Sequence, residues 1–288
     1  PKEGQTEAAL TAALVEARRV AEFGFTASEF DRARKDALSM LEKQYTNRDK
    51  RTNTQLFNQI LGNYLNNDCL PSIDFSYAVM KQVLPTLTVD MINAMFKEYI
   101  TMNDSNMVIM NFNVEKEGAA YPTHESLLAA VEAARKAEVT AYVDNVKSEP
   151  LVPALPKKGK IAKEEKADFG YTCWTLANGA RVFFKQTDFN DSEVQFRATS
   201  FGGENTVDMK DYVNLKLLPT VVSNTGLGNF TSTELQKKLA GKNASCEPFI
   251  GELTENLEGS ATPKDLRTLF ELIYLRFQAP ANDPDGYN

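Results

Sequence analysis

The sequence predicts an α+β fold in two incomplete domains, each with a mainly antiparallel sheet packed on helices. Three observations predict it. Stretches with apolar residues at i, i+3, i+4 and i+7 are interspersed with short apolar runs, the patterns of helix and strand. The chain has 288 residues, enough to bury two cores. Near its middle, residues 144–168 carry Pro150, Pro153, Pro156 and many lysines but few large apolar side chains. That composition reads as an extended linker between domains 1–143 and 169–288.

Before the linker the elements are mostly helical. Gln5 to Phe23 places Leu10, Leu14, Ala17 and Ala21 on one stripe, with Gly24 as the stop. Thr26 and Glu29 form a capping box for the next helix, with Phe25 and Phe30 at the staple positions. That helix carries Phe30, Ala33, Ala37, Leu38, Leu41 and Tyr45 inward. The polar stretch Thr46–Thr54 reads as continued helix or a short break. Gln55–Leu65 is a further amphipathic helix, Asn66-Asn67-Asp68 with Pro71 a loop, and Phe75–Leu84 another helix. Pro85 breaks it and Thr88 caps a helix lined by Val89, Ile92, Phe96 and Ile100. Asn103-Asp104-Ser105 turns the chain into Met107–Val114, predicted as a strand with Val108, Met110 and Phe112 or their alternates inward. A lone strand cannot stand, so its partners are expected N-terminal to Pro1. Ser126–Val139 is an Ala-rich helix.

After the linker come short strands at Tyr171–Leu176, Ala180–Phe184 and Glu193–Ser200. Asn178-Gly179 between the first two is a strong hairpin signal. Gly202-Gly203 precedes a mostly apolar helix, Tyr212–Ser223. Asn229–Pro280 then reads as helix, strand, strand, helix. Thr231 with Glu234 is a capping box and Gly241 suits a helix stop. Cys246–Leu257 is a hairpin about Gly251-Glu252. Thr262-Pro263 opens the last helix with a cap and Pro at N1. Leu266, Leu269, Phe270, Ile273, Tyr274 and Phe277 form its expected buried face, and Pro280 stops it.

Composition excludes several function classes. A net charge of −7 and a pI near 5.0 argue against a nucleic-acid partner. The basic runs, Arg48–Arg51 and Lys157-Lys158 with Lys160 and Lys163, read as solvated surface. No run of 18 apolar residues is present, so no membrane-spanning segment is expected. The chain opens at Pro1 without Met and ends at Asp285-Gly286-Tyr287-Asn288, just past a strong helix. It is expected to be part of a longer protein, with any targeting segment outside it.

The residues alone carry little chemistry. Cys69, Cys173 and Cys246 are far apart and form no C-x-x-C pair, so they read as small buried residues. The one histidine, His124, stands in Pro122-Thr123-His124-Glu125-Ser126 at a helix mouth. His-Glu could begin H-E-x-x-H, but residue 128 is Leu, so the second ligand is missing. No G-x-S-x-G elbow occurs. Gly226-Leu227-Gly228 and Gly202-Gly203 are too sparse for a phosphate cradle. Catalytic residues: none; metal ligands: none.

Ser232–Lys242, Leu257-Glu-Gly-Ser-Ala-Thr-Pro-Lys-Asp-Leu266 and Leu272-Ile-Tyr-Leu-Arg-Phe277 together resemble the carboxyl-terminal half of the pitrilysin/insulinase zinc metallopeptidases, in their bacterial branch. Thr175-Leu-Ala-Asn-Gly-Ala-Arg-Val182 resembles the L-x-N-G-x-x-V hairpin that opens a repeat half in that family. Ala27–Asp49 and Pro85–Asn93 resemble the end of the preceding half. The resemblance implies the mitochondrial processing peptidase-like metallohydrolase fold, with two homologous halves closing like a clamshell around a peptide. Residues 1–143 would be the C-terminal part of the second domain, 144–168 the hinge linker and 169–288 the start of a third, non-catalytic domain. The family's zinc is held by an H-x-x-E-H helix and a further Glu, which this chain lacks. The equivalent helix here would hold Asn214, Leu217 and Leu218 at the key positions, read as a packed core helix. The implied function is an internal, non-catalytic segment of a zinc endopeptidase, with zinc in the parent protein only. The implied partners are a peptide or unfolded polypeptide and the catalytic half of the same protein. The implied compartment is periplasmic or exported. The other reading is an inactive relative serving as an assembly or binding subunit.

Overall fold

The computed structural model describes residues 2–100 and 107–281. The expectations for Pro1, Asn103-Asp104-Ser105 and Asp285–Asn288 lie outside the described residues. The fold is α+β, with helices and antiparallel sheets as expected. The chain divides into two compact units, residues 1–34 with 82–145, and residues 35–81 with 146–288.

The first unit is built on α1 (Thr6–Phe23), the first turns of α2 (Ala27–Thr46), α5 (Val89–Tyr99) and α6 (His124–Lys136). The capping box at α2 forms: the Glu29 N–H donates to Thr26 Oγ1 at 3.2 Å, and the Thr26 N–H donates to Glu29 Oε2 at 2.8 Å. Phe25 packs edge-on against Phe96, ring centroids 4.9 Å apart. Thr88 caps α5 by accepting from the Met91 N–H at 3.2 Å. α1 lies on α6, where Thr11 Oγ1 donates to the Ala130 carbonyl at 3.2 Å and Arg18 Nη1 to the Ala134 carbonyl at 2.9 Å. Ala130, Val131 and Ala134 are buried there.

The expected strand Met107–Val114 is corrected. No strand is formed between 107 and 114, and Val108, Met110, Phe112 and Val114 are exposed, Phe112 to 85%. A strand exists through its partner's hydrogen bonds, and among the described residues none pairs with this run.

The second unit holds the rest of α2, α3 (Asn53–Asn66), most of α4 (Ile73–Val83), and two sheets. The break after α2 is a short 3-10 turn at Arg48–Lys50. α3 then starts on a capping box of Thr52 and Gln55. Its apolar residues Phe57, Ile60, Tyr64 and Leu65 are exposed.

The first sheet has order β1-β2-β3, from Ile161–Lys166, Thr172–Leu176 and Arg181–Phe184. The turn at Asn178-Gly179 joins β2 to β3, with Gly179 at φ 87°. Trp174 stacks on Phe184 at 5.7 Å and donates from Nε1 to Glu164 Oε2 at 2.9 Å.

The linker region departs from an extended spacer in two places. β1 lies inside it, and Leu151 and Val152 are buried in the main hydrophobic cluster. β1 reads Ile-Ala-Lys-Glu-Glu-Lys, a charged edge strand without an apolar alternation to betray it.

The second sheet has order β4-β6-β5, from Val194–Phe201, Thr254–Ala261 and Ala244–Ile250. α9 (Leu266–Gln278) packs on it, and α7 (Tyr212–Asn224) and α8 (Ser232–Leu239) precede the β5–β6 hairpin. The core joins Leu227, Phe230, Cys246, Leu257 and Ala261 to Leu269, Leu272 and Leu275 of α9. The buried face of α9 is therefore rotated from the expected one. Phe270 and Phe277 are exposed, while Thr268 and Leu272 are buried. The sheet takes the smaller leucines, Leu269, Leu272 and Leu275.

Two features make this contact tight. Gly259 of β6 lies under α9, and a Cβ there would stand 2.5 Å from the Ser245 carbonyl oxygen and 2.8 Å from Leu269 Cδ1. Asp265 at the head of α9 is 2% exposed and accepts from the Asn243 N–H at 3.0 Å and the Thr262 hydroxyl at 2.8 Å. Lys242 Nζ lies 3.4 Å from its other oxygen. Burial alone would raise the Asp265 pKa, but these donors outweigh it and hold the carboxyl below its ordinary value.

Two outcomes follow for denaturant unfolding. Gly259→Ala lowers stability by about 1–3 kcal/mol through overpacking; an unchanged midpoint would refute the close contact. Asp265→Asn lowers it by roughly 1–3 kcal/mol at neutral pH. A depressed pKa gives stability that is present above the unfolded-state value of about 3.9 and is lost as pH falls through the lower folded value. The gap between variant and parent therefore narrows in acid.

Candidate functional site

The helix that follows Gly202-Gly203 is where the resemblance implies the metal site's counterpart, so the site is built around α7. The chain enters it through a loop fastened to the β5–β6 turn. The Gly202 N–H donates to the Leu253 carbonyl at 3.2 Å, Glu204 N–H to Gly251 at 3.0 Å, and Asn205 N–H to Glu252 at 3.1 Å. Gly203 has φ 88°, and a Cβ there would lie 2.6 Å from the Thr254 nitrogen. Only glycine meets both demands.

α7 corrects the core-helix reading. It buries no residue; Asn214, Leu217 and Leu218 all face solvent, Leu217 to 56%. Its ends hold it instead. Lys216 Nζ meets Glu204 Oε1 at 2.6 Å near the start. At the end, Arg276 Nη1 donates to the Val222 carbonyl at 2.8 Å, and Ser223 Oγ donates to Glu247 Oε2 at 3.0 Å. Arg276 also donates from Nε to the Cys246 carbonyl at 3.1 Å and pairs through Nη2 with Glu247 Oε2 at 2.7 Å. Its side chain is 8% exposed. The sequence reading passed over Arg276. The available signal was its position, seven residues after Leu269 on the buried stripe.

The donor set on α7 does not fit zinc. Two leucines offer no donor atom, and a single amide cannot build a tetrahedral site. Among the described residues no three His, Cys, Asp or Glu side chains gather to hold a metal ion.

The other candidates are His124, the Gly226–Gly228 turn and the three cysteines. His124 is the exposed first residue of α6, whose start is capped by Thr123 and Ser126. Glu125 beside it is held below the usual carboxylate range, first by its own backbone N–H and then by Thr123. That carboxyl serves the helix mouth. The Gly226–Gly228 turn is no phosphate cradle, since Leu227 and Gly228 N–H groups already donate to the Phe230 and Ala279 carbonyls. Cys173 and Cys246 are buried, as expected of small core residues, but Cys69 is exposed, which corrects the reading for that residue. It sits in the loop between α3 and α4, beyond the reach of any core. Burial pushes the Cys246 thiol up to about 11, with Glu247 adding to the rise and Arg276 opposing it. A protonated thiol is neither nucleophile nor metal ligand.

No family model matches the chain. A zinc protease PQQL-like protein of Arabidopsis thaliana is 26% identical over 250 residues, 85% of this chain and 26% of that protein. The probable zinc protease PqqL of Escherichia coli K12 is 23% identical over 269 residues, 93% of this chain and 29% of that protein. The crystal structure of the E. coli protein, described as a periplasmic protease, has a TM-score of 0.47 to this chain at 21% identity, covering 97% of this chain and 31% of that one. The ferredoxin protease FusC, crystallised in complex with Arabidopsis ferredoxin, gives a TM-score of 0.51 at 18% identity, covering 98% of this chain and 32% of that one. The FusC match concerns the fold alone. The resemblance to pitrilysin/insulinase zinc peptidases is thus borne out over most of the chain, which spans under a third of the length of these relatives.

The thiol environments have a direct readout. In the folded chain at mildly alkaline pH, Cys69 reacts with a thiol reagent while Cys173 and Cys246 stay protected; all three react in denaturant. Fast labelling of Cys246 in the native state would contradict the packing of β5 under Arg276.

Proposed function

We propose that this chain is an internal, non-catalytic segment of a zinc-dependent endopeptidase, helping to enclose a peptide substrate in a clamshell chamber. One observation carries the reading. A chain similar to zinc proteases along 85% and 93% of its length has, on the helix where a ligand set is sought, an amide and two leucines. The metal and the water-activating glutamate then belong to a part of the parent protein outside these residues. On this reading residues 1–143 complete a second domain, 144–168 link the halves and 169–288 begin a third domain without ligands.

The partners on this reading are a peptide or unfolded polypeptide and the catalytic half of the same protein. FusC, complexed with a ferredoxin, supports a protein substrate for the parent. The compartment we propose is periplasmic or exported, the setting given for the E. coli protease that the sequence matches. No helix among the described residues is long and apolar enough to cross a membrane.

The residues of this chain contribute surface and frame. α7 presents a solvent-facing helix fixed at both ends, with no group placed to activate water. The role left to it is to bound a space.

Metal analysis and a proteolysis assay test the reading. The purified chain carries no stoichiometric zinc and leaves an unfolded protein substrate intact. The parent protein holds zinc and cleaves, and a chelator abolishes its cleavage. Tightly held zinc in this chain, or a parent whose H-x-x-E-H ligands are substituted, would overturn the proposal; the second result would favour an inactive assembly subunit.

A further inference from the structure

Arg48–Arg51 has the sequence of a solvated basic run, but in the structure Lys50 and Arg51 line a cavity. Lys43 near the end of α2, with Lys50 and Arg51 between α2 and α3, line one open cavity of about 680 Å³. Met40, Ile73 and Phe189 supply apolar wall, and no carboxylate lines the cavity. The volume lies within the roughly 300–1,000 Å³ typical of ligand sites and exceeds what a lone inorganic anion needs.

Two of the three cations are held by hydrogen bonds, and none is neutralised. Lys50 Nζ donates to the Asp188 carbonyl at 2.6 Å. Arg51 donates to the Arg48 carbonyl at 3.1 Å and to Gln59 Oε1 at 3.3 Å. Those acceptors are neutral, and among the described residues none of the three cations has a carboxylate within 4.0 Å. Arg48 shows the contrast: it stands 3.9 Å from Asp49 and 3.7 Å from Asp74 and does not line the cavity. Three like charges around one space repel each other, and an anion placed among them removes that repulsion. The wall also contains Asn47, whose Nδ2 donates to Ser192 Oγ while its Oδ1 is buried without a donor. The cations and the apolar wall together ask for a ligand that carries apolar groups as well as negative charge.

We propose that this cavity binds an acidic peptide segment, with carboxylates against Lys43, Lys50 and Arg51 and apolar side chains against Met40, Ile73 and Phe189. That such a peptide is a substrate rests on the peptidase reading above; that it binds does not.

Fluorescence anisotropy on the full chain tests it. The probes are a labelled octapeptide of alternating Glu and Leu and its Lys and Leu counterpart. The acidic peptide is expected to bind roughly tenfold more tightly, with affinity falling as salt rises. Lys43→Gln, Lys50→Gln and Arg51→Gln each weaken it about two- to fivefold, and the triple variant abolishes the preference. These side chains are exposed, so circular dichroism should show the fold intact; if the triple variant unfolds, the single variants and the salt titration decide. Equal affinity for both peptides, a preference that survives neutralisation, or displacement by tripolyphosphate at lower concentration than by unlabelled acidic peptide would overturn the proposal. Binding by a chain whose parent proves to lack zinc would leave it standing and refute only the peptidase reading.

Discussion

The guanidinium of Arg276 is the joint on which residues 194–278 depend. It leaves α9, crosses to the Cys246 carbonyl of β5, pairs with Glu247 and reaches the last turn of α7 at the Val222 carbonyl. Three elements distant in sequence are thereby fixed by one planar group with several donors. A charge this covered would be costly without partners. Here each partner is an oxygen of the frame itself. An exposed, marginally packed helix such as α7 keeps its place partly because a carbonyl of its last turn is held by Arg276.

The glycines of this half express the same economy of space. Gly203 lets the loop before α7 lie against the β5–β6 turn, and Gly259 lets α9 settle onto the sheet. Together with Arg276 they define a rigid platform of helix, hairpin and helix. Such a platform suits a protein whose role in the proposed peptidase is to shape a space for chemistry done elsewhere.

What could be read in advance was local. The caps at Thr26, Thr88 and Thr231 and the turn at Asn178-Gly179 each depend on residues three or fewer positions apart. What escaped was set by distant neighbours. β1 has no apolar alternation because it is a charged edge. The buried face of α9 depends on which side chains the sheet admits. Residues 107–114 carry a strand's pattern without a strand's partner among the described residues. At the candidate site the identities of Asn214, Leu217 and Leu218 could be read in the sequence, but their exposure to solvent could not. Arg276 and the basic cavity needed the fold, since their partners lie far away in the chain, 54 residues for Arg276 and Val222 and 138 for Lys50 and Asp188.

The exposed run 107–114 has a consequence for how solutions of this chain behave. At a distance, copies repel, because each carries a net charge of −7. At contact, Val108, Met110, Phe112 and Val114 offer alternating apolar side chains on a backbone that pairs with no strand among the described residues. The first effect is long-ranged and screened by salt; the second is short-ranged and is not. Colloidal stability therefore falls as ionic strength rises, and a few residues, rather than the average composition, set the concentration at which copies begin to adhere.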